Sequence, residues 1–131
     1  MVRSYELDSQ GHLNAAVYHQ YGEHARLECL RASGVLMDRM MASGVGAVQL
    51  ECTIRFHREL RRDDEVDVSC IFVWGEGKTF RIDQEYRRPD GSLVAELTTV
   101  CGLLDLAERR LLADPAKHLR SLAATPEALG L

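Results

Sequence analysis

The hydrophobic period of the sequence changes from helical to alternating in the first half of the chain, and this change constrains the fold more than any other feature. Between Asn14 and Ser33, small and apolar residues recur every three or four positions, which predicts one long helix that Gly34 ends. Later, apolar and polar residues alternate, most clearly from Val48 to Phe56, which predicts strands. A helix followed by strands with short turns between them predicts an α+β domain with an antiparallel sheet.

Five strands are expected in total, and one of them precedes the long helix. They cover residues 2–7, 48–56, 66–74, 79–87 and 93–106. Short helices are expected over residues 35–42 and 115–123, and residues 125–131 are expected to form a frayed tail. One long helix cannot protect both faces or both edges of such a sheet, so pairing with a second subunit is expected.

The segment from Asp8 to Tyr18, which leads into the long helix, is the candidate site. Asn14 is suited to cap the helix, because its side-chain oxygen can accept from the free N–H groups of the first turn. A carboxylate beside a helix N-terminus places a base next to unpaired N–H donors, which suits attack on a carbonyl. The plain alternative for Asp8 is that it only hydrogen-bonds the local backbone, as turn aspartates often do.

Composition and motifs exclude several other classes of protein. The net charge of −4 argues against a nucleic-acid binder, and no run of about 18 apolar residues predicts a membrane span. No serine-hydrolase elbow, phosphate loop or dinucleotide fingerprint is present, so no cofactor is expected. His19 and Glu23 have an i,i+4 spacing without a third ligand, so no metal site is expected. Four widely separated cysteines favour reduced, buried thiols and a cytoplasmic location.

The spaced motif Asp8-x-x-Gly11-His12-x-Asn14-x-x-x-Tyr18-x-x-x-x-Glu23-x-x-Arg26 resembles that of the hotdog-fold acyl-CoA thioesterases of the 4-hydroxybenzoyl-CoA thioesterase family. The charged turn over 56–64 and the segment 86–105 resemble the same family. The resemblance implies a hotdog fold, in which an antiparallel five-stranded sheet wraps around one long helix. A single hotdog domain over residues 1–131 is therefore expected.

The resemblance also implies roles for individual residues. The family's catalytic carboxylate matches Asp8, and the backbone N–H that polarises the thioester carbonyl matches the N–H of Ala15. The remaining substrate-binding candidates lie in the same segment: Gly11, His12, Asn14 and Tyr18. Asn14 has the plainer alternative of capping alone, Tyr18 that of packing, and His12 is better suited to shaping the turn than to transferring protons.

Other hotdog thioesterases use a glutamate within the helix, so Glu23 and Glu28 are alternatives to Asp8. Glu23 and Arg26 are i,i+3 neighbours, which favours a simple ion pair. The alternative is that Arg26 supports the site or the subunit interface.

The function that the resemblance implies is hydrolysis of an acyl thioester of coenzyme A or of an acyl carrier protein, with Asp8 as nucleophile or general base. The alternative is a non-catalytic domain that binds or senses acyl thioesters. Because active sites in this family lie between subunits, a homodimer or homotetramer is expected. The candidates for binding the phosphates of coenzyme A are basic residues in the strand region: Arg58, Lys78, Arg87 and Arg88.

Overall fold

The computed structural model describes residues 1–131 as an antiparallel sheet with one long helix packed on it. The helices are α1 (Ala15–Ala32), α2 (Met37–Ala42) and α3 (Pro115–Leu122), with 3-10 helices at Ser4–Glu6 and Pro126–Leu129. The strands are β1 (Val45–Phe56), β2 (Asp67–Val68), β3 (Ile71–Val73), β4 (Thr79–Arg87), β5 (Leu93–Asp105) and β6 (Arg110–Leu111). This is the expected α+β hotdog architecture.

The sheet has six strands where five were predicted. Its order is β1-β5-β4-β2, with β3 also paired to β4 and β6 paired to β5. The predicted strand over 66–74 is interrupted, so that it forms the two short strands β2 and β3. None of the helices combines the length and the apolar composition that crossing a bilayer requires.

The strand predicted over residues 2–7 is wrong, because the segment turns before it can extend. The Glu6 side chain accepts from the backbone N–H of Arg3 at 2.9 Å and from the Tyr21 hydroxyl at 2.6 Å. These bonds stabilise the 3-10 turn over Ser4–Glu6. Leu7 forms an isolated bridge with Leu13, and Val2 exchanges backbone hydrogen bonds with Asp63 and Asp64, but no strand forms.

The long helix is confirmed to within one residue at each end. Asn14 caps α1, since its Oδ1 accepts from the backbone N–H of Ala16 at 2.9 Å, and Gly34 follows it with φ +90°. The helical spacing predicts a mostly small packing stripe, Ala15, Tyr18, Gly22, Ala25, Cys29 and Ala32, and this prediction is only partly correct. Tyr18, Gly22 and Arg26 are the buried residues of α1, whereas the stripe's two end residues, Ala15 and Ala32, are exposed.

Gly22 lets α1 lie close to the sheet. A Cβ atom at this position would lie 2.7 Å from Leu97 Cδ2 and 2.7 Å from the Tyr86 hydroxyl oxygen. We expect Gly22→Ala to lower the free energy of unfolding by about 1–3 kcal/mol, because overpacking outweighs the better helix propensity of alanine. Urea unfolding measures this change. The control is Gly75→Ala, whose Cβ would meet no atom within 4 Å, and equal stability of the two variants would contradict the expectation.

A β-bulge changes the faces of β1, which the simple alternation could not predict. The register against β5 shifts between Gln49 and Glu51. Cys52, Ile54 and Phe56 therefore lie opposite buried residues of β5, while Val48 belongs to the other face. The expectation of four buried thiols is met only by Cys101, since Cys29 and Cys70 are half-buried and Cys52 is exposed.

Residues 125–131 were predicted to form a frayed tail, but they pack against the rest of the domain. Leu129 is 1% exposed and belongs to a cluster of buried residues that includes Phe72 and Phe80. The indole N–H of Trp74 donates to the Leu129 carbonyl at 2.6 Å. These contacts hold the segment in place together with the backbone N–H of Thr125, which donates to the Ser33 carbonyl at 2.9 Å.

Candidate active site

The turn before α1 fixes the Asp8 carboxylate. Asp8 Oδ1 accepts from the backbone N–H groups of Gln10 at 2.8 Å and His12 at 3.1 Å. The backbone of Asp8 also donates to the His12 carbonyl and accepts from Gly11, which has φ +77°. The two N–H donors, with His12 first, lower the pKa of Asp8 below its ordinary value. Asp8 is exposed, and its Oδ2 accepts no hydrogen bond from the chain.

The first residue of α1 presents a free N–H group. The Asn14 side chain bonds Ala16, and the Asn14 carbonyl accepts from Val17 at 2.9 Å. The backbone N–H of Ala15 donates to no group in the chain. It lies at the positive end of the helix dipole, where a negative charge is stabilised.

A cleft of about 320 Å³ brings four of the six predicted site residues together. Its lining on the α1 side comprises Asp8, His12, Leu13, Ala15 and Tyr18. Gly11 and Asn14 do not line it. Gly11 instead provides the left-handed conformation of the turn, and Asn14 provides the cap.

The opposite wall of the cleft is the segment that leaves β1, and of its residues only Arg58 was named from the sequence, as a phosphate-binding candidate. Phe56, His57, Arg58 and Glu59 line this wall. His12 Nε2 lies 2.7 Å from Glu59 Oε2, so this contact joins the two walls and fixes the imidazole. The available signal was the charged turn over 56–64, which marked the segment without indicating which side chain enters the site.

Tyr18 is both a wall of the cleft and a packed core residue. It is 3% exposed, and its ring meets that of Phe56 edge-on at 5.0 Å between centroids. Its carbonyl accepts from the Tyr86 hydroxyl at 2.5 Å, and burial raises the pKa of its own hydroxyl. Tyr18 therefore contributes a neutral aromatic wall.

The glutamates of α1 lie outside this cleft. Glu28 pairs with Arg31 at 2.9 Å. Glu23 is exposed and has no cation within 4 Å, so the predicted ion pair with Arg26 is wrong. Arg26 is buried and donates instead to Gln84 Oε1 at 2.9 Å, because its side chain runs between α1 and the sheet.

The four candidates for phosphate binding differ in their availability. Arg87 pairs with Glu85, and Arg88 donates to the Glu59 carbonyl and lies 3.8 Å from Asp64. The remaining two, Arg58 and Lys78, form no ion pair, and Arg58 is the one that lines the cleft.

Comparisons with known proteins all find thioesterases. The thioesterase-like superfamily matches residues 2–128. An acyl-acyl carrier protein thioesterase of Arabidopsis thaliana, ATL3, is 41% identical over 64 residues, which is 49% of this chain and 34% of that protein. The chain thus matches about a third of the length of this relative.

Solved structures share the fold. The probable thioesterase YbaW of Escherichia coli superposes with a TM-score of 0.79 at 27% identity, covering 86% of this chain and 84% of YbaW. The 1,4-dihydroxy-2-naphthoyl-CoA thioesterase Slr0204 of Synechocystis gives a TM-score of 0.82 at 17% identity, with 93% and 90% covered. At that identity, the second likeness supports the fold alone.

Proposed function

We propose that this chain, which belongs to the thioesterase-like superfamily, is a thioester hydrolase that releases an acyl group from coenzyme A or from an acyl carrier protein. The observation that carries the proposal is that one cleft is lined both by Asp8, which has a carboxylate, and by Ala15, which has a free backbone N–H. The first supplies a nucleophile or base, and the second a donor for the developing oxyanion.

Two routes are open to Asp8. In the first, its carboxylate oxygen attacks the thioester carbon, the C–S bond breaks, and water then hydrolyses the resulting anhydride to release the acid and free Asp8. In the second, Asp8 takes a proton from a water molecule that attacks the same carbon. In both routes the thiolate leaves without much acid assistance, since a thiol has a pKa of about 8.5.

The neighbouring residues support this chemistry from fixed positions. Gly11 and Asn14 hold the turn and the start of α1, so that Asp8 and Ala15 face the same cleft. His12, held by Glu59, and the ring of Tyr18 form the walls beside the acyl group. Arg58 is our choice for a phosphate of the substrate, because its charge is unpaired at the cleft.

The release of free thiol from a panel of aryl and aliphatic acyl-CoAs and acyl carrier proteins tests this proposal. We expect the wild type to release thiol from at least one member well above the uncatalysed background. Binding without release would instead support the non-catalytic, thioester-sensing alternative. The similarity to the Arabidopsis protein supports including acyl carrier protein substrates in the panel.

We also propose a cytoplasmic location, which the widely separated, unpaired cysteines support.

The acid limb of the pH profile reports on Asp8. Its pKa is lowered, so the carboxylate keeps its charge to a lower pH than an ordinary aspartate, whose pKa is about 3.9. Because the anion is the active form, kcat/KM should not fall between about pH 7 and about pH 5. A stopped-flow measurement over this range tests the expectation. A loss of activity with a midpoint at about pH 6.5 would contradict it, since an imidazole base titrates in that range.

We further propose that a second copy of the chain pairs along β1, as a homodimer or as part of a homotetramer. β1 is a twelve-residue edge strand, and Leu50 and Phe56 on it are each 51% exposed. Such an edge normally requires cover. Phe56 also lines the Asp8 cleft, so pairing here would place the active site at the subunit interface.

Sedimentation velocity tests the assembly. We expect the wild type to sediment as a dimer or tetramer, and Leu50→Asp to shift it toward a smaller species, because a charge would be buried in the interface. Ile71→Asp is the matched control, since Ile71 is an exposed apolar residue of β3 at the other side of the sheet. A monomeric wild type would contradict the proposal.

A further inference from the structure

A second pocket, of about 160 Å³, lies between α1, α2 and the sheet and shares no lining residue with the Asp8 cleft. Most of its wall is apolar and includes Leu30, Met40, Phe80 and Leu103. Along α1, Arg26 is eleven residues from Ala15, which corresponds to roughly 16 Å. The pocket is therefore a separate feature of the molecule.

Arg26 forms part of this wall and forms no ion pair with a carboxylate of the chain. It is 7% exposed, and its one hydrogen bond is from Nη1 to the neutral Gln84 Oε1. No carboxylate lies within 4 Å of it. Gln84 in turn donates to the Gly22 carbonyl at 3.0 Å, so the pair is fixed between α1 and the sheet.

Arg26 lines the pocket and keeps unused hydrogen-bond donors. A guanidinium has five N–H donors, and only one of them is used here. These nitrogens are not sealed in the core, since the hydroxyl of Ser92 is the only buried side-chain polar atom that lacks a hydrogen bond. Glu23 lies at the pocket but is exposed, so water screens its charge.

We propose that this pocket binds a carboxylate carried on an apolar group, with Arg26 as its counter-ion. A buried cation without a partner is costly, and a carboxylate matches the two-donor geometry of a guanidinium. The size of the apolar group follows from the volume, because a cavity of about 150 Å³ accommodates benzene. The carboxylate has two possible sources: a free acid, or the far end of a long acyl chain whose thioester lies at Asp8. The second source rests on the proposed function.

The binding test compares benzoate with benzamide, which has the same shape without the charge, by NMR titration of the full chain. We expect the wild type to bind benzoate at least about tenfold more tightly than benzamide, the scale of one charge-assisted hydrogen bond. Arg26→Met should abolish this preference, whereas Arg62→Gln, which removes an exposed arginine outside the pocket, should retain it. Ala47→Leu narrows the pocket without changing Arg26 and should weaken benzoate binding.

A kinetic comparison distinguishes the two sources. If the substrate carries the carboxylate, kcat/KM is higher for acyl-CoAs that end in a carboxylate than for neutral ones of equal length, and Arg26→Met removes the difference. If only the free acid binds, benzoate binds but this difference is absent. Equal binding of benzoate and benzamide to the wild type, or an unchanged preference in Arg26→Met, would overturn the proposal and leave Arg26 as a hydrated structural cation. Since the titration involves no hydrolysis, benzoate binding through Arg26 would stand even if no thioester were cleaved.

Discussion

Asp8→Asn should reduce kcat by at least about two orders of magnitude, the usual scale for losing a catalytic acid or base. The asparagine keeps an oxygen that can accept from the backbone of Gln10 and His12, so the turn should persist. It lacks the negative charge that either attacks the thioester or activates water. The measurement is the rate of thiol release under saturating substrate, with circular dichroism to confirm the fold.

The matched control for this substitution is Asp90→Asn. Asp90 is likewise an exposed turn aspartate whose Oδ1 accepts a backbone N–H, that of Ser92 at 2.8 Å, and whose pKa is lowered by that residue. It lies outside the cleft and should leave kcat unchanged. If Asp8→Asn were as active as this control, Asp8 would be a structural turn residue, and Glu23→Gln would be the next variant to measure.

Ala15→Pro should also reduce kcat, by about 10²- to 10³-fold, which is the cost of removing one oxyanion donor. Proline deletes the N–H of Ala15 and leaves the helix intact, because proline is favoured at the first helical position. The preceding residue, Asn14, already has φ −62° and ψ +136°, the conformation that a following proline requires. The substitution therefore removes the proposed oxyanion donor while the backbone conformation is kept.

The expected result is a loss in kcat with no decrease in the thermal midpoint, since a compatible proline does not destabilise the chain. Ala15→Gly keeps the N–H and serves as the control, with kcat close to that of the wild type. A proline variant that is as active as the glycine variant would show that the carbonyl oxygen is held elsewhere.

Local signals explain what could be predicted from the sequence. The bounds of α1 followed from a capping asparagine and a terminating glycine, and Thr79–Arg87 was predicted to the residue because its turns are marked by glycine and proline. Asp8 and Ala15 could be placed for the same reason, since the turn and the helix start are adjacent in sequence. A resemblance over the same segment then supplied their expected roles.

Contacts between distant residues explain what could not be predicted. Glu59 reaches His12 across the cleft, and Arg26 reaches Gln84 across the core, neither of which leaves a periodic signal. The bulge in β1 depends on its partner strand, and the packing of Leu129 depends on Trp74. The early turn at Ser4–Glu6 likewise depends on Tyr21, fifteen residues beyond Glu6.

The most direct test of the account is a crystal structure with a thioether-linked ketone analogue of an acyl-CoA that the enzyme hydrolyses. We expect the ketone oxygen to lie about 2.7–3.1 Å from the backbone nitrogen of Ala15. We also expect an Asp8 carboxylate oxygen about 3–3.5 Å from the carbonyl carbon, or one water molecule away from it. A ketone that binds away from Ala15, with Glu23 and not Asp8 beside its carbon, would contradict the account.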